Sequence, residues 1–273
     1  MLTWFDTHVH WDAAEFDQDR DAALIRARSA GVTHCLNPAV TVAGFAQVQA
    51  LATLSRQRKD WPCLMPAYGI HPLYVDQSQP EDLHLLEGQL RSQRPVAIGE
   101  IGLDAYAGAP DFEQQRRMFE AQLSLAVTYQ LPVLLHVRHA VEAVIQSLKR
   151  VQGCGQKIPS GIAHAFNGSA VQARQLIDMG FLLGFGGSCT YEGSTRIRAL
   201  AAQLPLSAIV LETDAPDMAP AWLHGQRNES SQLPLIAQRL AELRQISLVE
   251  LSEVTAANMA RLLGCLKDGA SAR

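Results

Sequence analysis

Pro132-Val133-Leu134-Leu135-His136 is a short, uninterrupted apolar run that ends in a histidine. Such a run suits a parallel strand buried on both faces, because helices cover both sides of a parallel sheet. Ala208-Ile209-Val210-Leu211 reads the same way and runs into Glu212 and Asp214. Outward from these two, strands are expected at 2–6, 32–37, 63–67, 95–99, 132–136, 160–164, 181–184 and 208–211. Amphipathic helices are expected between them, near 19–30, 41–58, 80–92, 111–130, 139–150, 169–179, 194–203 and 231–244. The helix at 111–130 carries a stripe through Phe112, Met118, Phe119, Leu123 and Val127, and Pro132 stops it. Gly31, Gly153 and Gly180 stand where helix ends or tight turns are expected. Eight βα units in succession predict an α/β fold, a (β/α)8 TIM barrel, as a single domain over residues 1–273. A C-terminal helix at about 247–263 closes it, with Ser247 and Glu250 as a capping box. An open doubly wound sheet would more often carry GxGxxG or a P-loop after its first strand, and this chain has neither.

Composition agrees with a globular domain. The 273 residues are nearly half hydrophobic, and the net charge is −4. There is no polybasic tail and no global electrostatic drive toward nucleic acid, although a local basic patch at a site for an acidic substrate stays compatible with that charge. Cys35, Cys63, Cys154, Cys189 and Cys265 are odd in number, scattered and without a CxxC pair, which fits reduced thiols. The start Met-Leu-Thr-Trp-Phe-Asp lacks the basic region and long apolar region of a signal peptide, and no apolar run approaches the ~20 residues of a membrane span. The expectation is a cytoplasmic protein with no membrane association and no obligate protein partner.

In a barrel, functional residues gather at the C-terminal ends of the strands. Those ends here carry His8 and His10, His71, Glu100, His136, His164, and Glu212 with Asp214. His8 and His10 stand two apart, so on a strand they point the same way. Closure sets the first strand beside the eighth. Histidines, a glutamate and an aspartate then face one mouth, close to the inventory of a dinuclear site in which a carboxylate joins two ions. His34 and His84 fit no strand end, and His139 and His224 fall in a helix start and a loop.

These residues sit in a recognisable series of motifs. Asp6-Thr7-His8-Val9-His10, Gly69-Ile70-His71-Pro72, Gly99-Glu100-Ile101-Gly102-Leu103-Asp104, His136-Val137-Arg138, His164-Ala165-Phe166-Asn167-Gly168-Ser169, Glu212-Thr213-Asp214-Ala215-Pro216 and Asn258-Met259-Ala260-Arg261-Leu262-Leu263-Gly264 follow one another along nearly the whole chain. Together they resemble the TatD family of metal-dependent hydrolases, within the amidohydrolase-like barrels. Three places depart from the family pattern: His139 follows His136-Val137-Arg138, Leu73 follows His71-Pro72, and Ser230 stands where Gly225-Gln226-Arg227-Asn228-Glu229 would continue into a proline. None of the three is a metal-ligand position.

The resemblance implies a divalent-metal-dependent hydrolase of ester bonds, a deoxyribonuclease or phosphodiesterase using a water activated by two metals. The alternative on the same scaffold is an amidohydrolase-type enzyme cleaving C–N or acyl-ester bonds of a small molecule. His8, His10 and Asp214 would hold one ion, His136 and His164 the other, and Glu100 would bridge them. Zn, Mn, Mg and Ni all suit such ligands. Asp214 and Glu100 would be the catalytic carboxylates, with Asp214 handling the water's proton. His71, Arg138, Phe166 and Tyr106 would contact substrate, the arginine on phosphate and the two rings on a base. The expected substrate is DNA, as a single strand or strand end, or a small phosphoester.

Overall fold

The computed structural model describes residues 2–153, 155 and 157–268. Eight parallel strands run in chain order around a barrel: β1 (Trp4–Asp6), β2 (Val32–Pro38), β3 (Cys63–Tyr68), β4 (Ala97–Asp104), β5 (Val133–Arg138), β6 (Gly161–Ala163), β7 (Leu182–Phe185) and β8 (Ile209–Leu211). Helices α1 (Arg20–Ser29), α2 (Phe45–Ser55), α3 (Asp82–Gln93), α4 (Phe112–Tyr129), α5 (Val141–Gly153), α6 (Ala170–Asp178), α7 (Thr195–Gln203) and α8 (Leu233–Arg244) alternate with them, and α9 (Leu248–Asp268) ends the described chain. The seam between β8 and β1 closes just beyond both strands. Thr7 N donates to Leu211 O at 3.0 Å, Asp214 N to His8 O at 2.8 Å and His10 N to Ala215 O at 2.8 Å. His8, His10 and Asp214 are therefore fixed by the backbone bonds that shut the barrel.

The barrel's interior is apolar at the end opposite the strand C-termini. Leu36, Ala67, Ala97, Leu134, Ile162, Leu182 and Val210 form one cluster there, and Met259 and Leu262 of α9 cover it. Asn258 holds α9 in place by donating to Leu206 O and Ile209 O at 2.9 and 2.8 Å. Ser247 Oγ accepts from Glu250 N at the start of this helix, one half of the expected capping box, and the helix continues five residues past the expected end at 263. Gly31 and Gly180 do adopt positive φ, +92° and +89°, at their helix ends. Cys35, Cys63 and Cys189 are free thiols, while Cys154 and the side chain of Cys265 lie outside the described residues.

The largest departure from expectation is β4. It ends at Asp104 rather than at residue 99, so Glu100 lies inside the strand. Ile98 pairs with Val133, but Ile101 pairs with Leu135, so β4 fits one extra residue against β5 at Gly99-Glu100. An extra residue of this kind re-aims the side chain beside it. Gly99 is required by space: a Cβ there would stand 2.5 Å from Leu134 Cβ. The stripe of α4 also differs. Gln115 and Gln122 are buried beside Phe119 and Leu123, and both bind strand-end backbone. Gln122 exchanges two hydrogen bonds with Ile70, at 2.7 and 3.0 Å, and Gln115 two with Asp104, at 2.8 and 3.0 Å. Two glutamines thus anchor the ends of β3 and β4, where His71 and Asp104 sit.

Candidate metal centre

Glu100 is 2% exposed and stands at the centre of five imidazoles. Its two oxygens face different groups. Oε2 lies 3.1 Å from His8 Nε2 and 3.6 Å from His10 Nε2, both from the β1 end. Oε1 lies 2.8 Å from His136 Nδ1, 2.9 Å from His164 Nε2 and 3.3 Å from His71 Nε2. Asp214 Oδ1 completes the first group, 3.5 Å from His8 Nε2 and 3.7 Å from His10 Nε2. Three sets of donor atoms are close enough for an ion: His8, His164 and Asp214; His8, His10 and Glu100; His71, Glu100 and His136.

The protons on the rings decide which of these can ligate. His136 Nε2 faces Asp104 Oδ2 at 3.0 Å and donates to it, which leaves a lone pair on Nδ1, aimed at Glu100. His10 Nδ1 faces Pro38 O at 3.3 Å, a carbonyl that only accepts, so its Nε2 also carries a lone pair. His71 is the reverse. Its Nδ1 accepts from Leu73 N at 3.1 Å, so its proton is on Nε2, pointing at Glu100 and His136. Distance alone groups His71 with possible ligands. Its tautomer makes it a hydrogen-bond donor instead.

Donor atoms therefore crowd together at the centre of the cluster. The ring nitrogens of His8 and His10 approach to 3.2 Å, and His136 Nδ1 meets a carboxylate oxygen at 2.8 Å. His8 Nδ1 and His164 Nδ1 are buried without a hydrogen bond. Imidazole nitrogens and carboxylate oxygens at these spacings can share a proton or hold a cation, and neutral imidazole with carboxylate is the donor set that divalent ions take. The residues fit a divalent metal centre.

Charge in the cluster is consistent with this. Burial works to raise Glu100, but the surrounding imidazoles of His71, His8 and His164 hold it well below the usual carboxylate range. Burial, then the neighbouring His164, push His8 well below an ordinary histidine. Burial opposes charge on His164, yet the Glu100 carboxylate raises it to about 10. His136 is raised too, with burial opposing and the Asp104 and Glu100 carboxylates prevailing. A carboxylate pair that draws a proton onto an imidazole draws a metal cation in the same way. Behind the cluster, burial lifts Glu212 to about 8 and Asp6 to about 6.

Comparison with known proteins bears on the chain as a whole. The family model for TatD-related DNase matches residues 5–264. The chain belongs to the TatD family. Among its relatives, an uncharacterized metal-dependent hydrolase, YjjV, of Escherichia coli K12 is 37% identical over 248 residues, spanning 90% of this chain and 92% of that protein. The 3'-5' ssDNA/RNA exonuclease TatD of Erwinia tasmaniensis is 35% identical, spanning 94% of this chain and 98% of that protein. The crystal structure of the E. coli homologue superposes with a TM-score of 0.87 at 35% identity, covering 95% of this chain and 97% of its own. A TatD family hydrolase from Entamoeba histolytica shares the fold, with a TM-score of 0.83 at 22% identity over 96% of this chain and 98% of its own. Metal-dependent hydrolysis is thus the coarse activity of this TatD family member.

The cluster opens into a cavity of about 1230 Å³ at the C-terminal end of the barrel, lined among others by His10, His71, Glu100, His136, Arg138, His164 and Asp214. Arg138 is half exposed, 3.9 Å from Asp104 Oδ2, and its guanidinium lies 3.9 Å over the Tyr106 ring. Tyr106 is exposed, but Arg138 covers one of its faces. Phe166 is a correction. It is 1% exposed and packs against Gly168, where a Cβ would meet the ring at 2.6 Å, so no face is left for a base. Its place in the motif is explained by anchoring the loop after β6.

Three residues that brace the cluster carried no assigned role in the sequence. Asp104 orients His136. Asp6 accepts from Ser230 Oγ and Thr213 Oγ1, both at 2.6 Å, and so ties the β1 end to the turn before Asp214. Asn228, fully buried, donates to Thr213 O and Asp217 O on either side of Asp214. All three sit inside the quoted motifs, and a count of acidic residues within those motifs would have raised Asp6 and Asp104.

Proposed function

We propose that this chain is a divalent-metal-dependent phosphodiesterase acting on single-stranded DNA or strand ends. The observation that carries the reading is the division of Glu100, one oxygen toward His8 and His10 and the other toward His136 and His164. A carboxylate so placed suits a bridge between two sites. His8, His10 and Asp214 would hold one divalent ion, and His136 and His164 the other; Zn, Mn, Mg and Ni all match these donors. When bound, such a pair supplies a water acidified toward neutrality and positive charge opposite a phosphodiester.

The chain's own residues do the rest. The Asp214 carboxylate, held at the barrel seam, accepts the attacking water's proton and returns one to the leaving oxygen. His71 Nε2–H faces the cluster as a neutral donor to a phosphoryl oxygen, since burial and its His136 neighbour outweigh Glu100 and keep its pKa low. Arg138 reaches the mouth with a fork suited to two phosphate oxygens, and Tyr106 braces its flat face. The exonuclease name carried by the Erwinia relative supports the choice of nucleic acid.

A substrate panel tests this. Single-stranded oligodeoxynucleotide and bis(p-nitrophenyl) phosphate should turn over, stop on removal of metal with EDTA and resume with Mn²⁺, Mg²⁺ or Zn²⁺. Full activity after rigorous demetallation, or turnover confined to acyl and amide substrates, would overturn it.

A further inference from the structure

The mouth is divided by charge. The arc formed by the loops after β8 and β1 contributes Asp12, Glu15 and Asp217 to the cavity lining. The opposite arc, after β5, β6 and β7, contributes Arg138 and Arg196. On that second arc Glu142 also lines the cavity, facing the side-chain amides of Gln146 and Gln172 at 3.4 Å, while Glu192 stands exposed in the loop after β7, outside the lining. An anionic chain entering the mouth is repelled on one side and drawn to the other.

Arg196 is the less expected of the two arginines. It is the second residue of α7, is exposed, and makes no ion pair with a carboxylate among the described residues. It is nevertheless not loose. Asn167 Oδ1 accepts from both its Nε and its second guanidinium nitrogen, at 3.1 and 2.7 Å. That contact fixes the guanidinium plane without neutralising it and leaves Nη1 free to bind. Asn167 is three residues past His164 in the loop that Phe166 anchors, so the arginine is tied to the same loop as a candidate metal ligand. The nearby N-terminus of α6 is already closed by its own capping box, Ser169 with Gln172. The cation available on this arc is therefore the arginine rather than the helix end.

Resting on the phosphodiesterase reading, we infer that Arg196, positioned by Asn167, grips a second phosphate of a nucleic-acid strand, one beyond the phosphate held at the metal centre. The strand then leaves the centre over the β5–β7 arc and away from the acidic arc. A substrate with a single phosphate gains nothing from Arg196.

Binding of a phosphorothioate hexathymidylate, which keeps its charges and resists hydrolysis, to the metal-loaded full chain tests this across a salt series. Arg196→Ala should weaken binding by roughly tenfold and lower the log–log salt slope by about 0.7, one phosphate contact on a single strand. Asn167→Asp keeps the arginine but gives it a counter-charge, and should weaken binding comparably. Turnover of bis(p-nitrophenyl) phosphate should stay within about twofold in both variants, because that ester has no second phosphate to lose. Unchanged affinity and slope in both variants would overturn the inference, as would equal losses on both compounds, which would place the effect at the metal centre. Wild-type protein that binds the oligonucleotide as described but hydrolyses no phosphodiester would uphold the grip and overturn the phosphodiesterase reading. Wild-type protein that hydrolyses the small ester but binds no oligonucleotide would do the opposite.

Discussion

Asp104→Asn removes one charge from a buried position 3.0 Å from His136 Nε2 and changes almost no volume. Asparagine still accepts from Tyr106 N, a bond of 2.8 Å in the native protein. What it loses is a carboxylate that fixes the proton on His136 Nε2. With an amide there, the proton moves readily to Nδ1, the atom that points at Glu100, and a protonated Nδ1 cannot ligate. Hydrogen bonds to charged groups contribute about 1.5–3 kcal/mol, and partners of metal-binding histidines are typically worth 10–100-fold in affinity. The expected outcome is a 10–100-fold weaker affinity for one of two ions, measured by competition with a calibrated chelator, and a parallel loss of phosphodiester turnover. The other proposed ion, which His8, His10 and Asp214 would hold, should keep its affinity within a few fold. Equal affinity for both ions in wild type and variant would refute the tautomer argument; so would equal loss at both sites with a collapsed melting curve, which would signal unfolding.

Glu100→Gln should lower activity on the order of a hundredfold or more and weaken both ions, whereas His71→Ala should cost about tenfold and leave metal content intact; mild, equal effects would mean the bridge is wrongly assigned. Burial pushes the Cys189 thiol up to about 12 and Cys35 well above its usual value. Thiolate forms only as pH rises through those values, so alkylation mapped by peptide mass at pH 8 should spare both cysteines in the native protein, and labelling at the denatured rate would contradict their burial.

Much of this site was legible in the sequence because its parts are local. His8 and His10 need only the two-residue period of a strand, and a run of buried β-strands with histidine or carboxylate at their ends needs only the rule that barrels gather function on one rim. What was not legible is set by pairing between distant segments. The strand carrying Glu100 was expected to end at residue 99, and its continuation to Asp104 depends on register with β5, as does the extra residue that turns Glu100 inward. Asp104 went without a role for the same reason. Gln115 and Gln122 occupy the buried face of α4, where an apolar stripe was expected, because strand-end backbone there needs hydrogen-bond partners. Phe166 was read as a stacking surface from its residue type; only packing against Gly168 reveals that its ring is enclosed. His71 was set apart from the candidate ligand histidines by the resemblance alone, and its physical reason, one hydrogen bond from Leu73 N, lies in the folded loop.

The central claim is that Glu100 joins two metal sites of different composition. Crystals grown with Zn²⁺ and measured for anomalous scattering test it most directly. The account predicts two peaks in the mouth. One should lie at ligand distance, about 2.0–2.2 Å, from His8 Nε2, His10 Nε2 and the Asp214 carboxylate, and the other at that distance from His136 Nδ1 and His164 Nε2, with one Glu100 oxygen on each. A single peak, a pair of peaks with Glu100 on only one, or His71 in the place of His164 would contradict it.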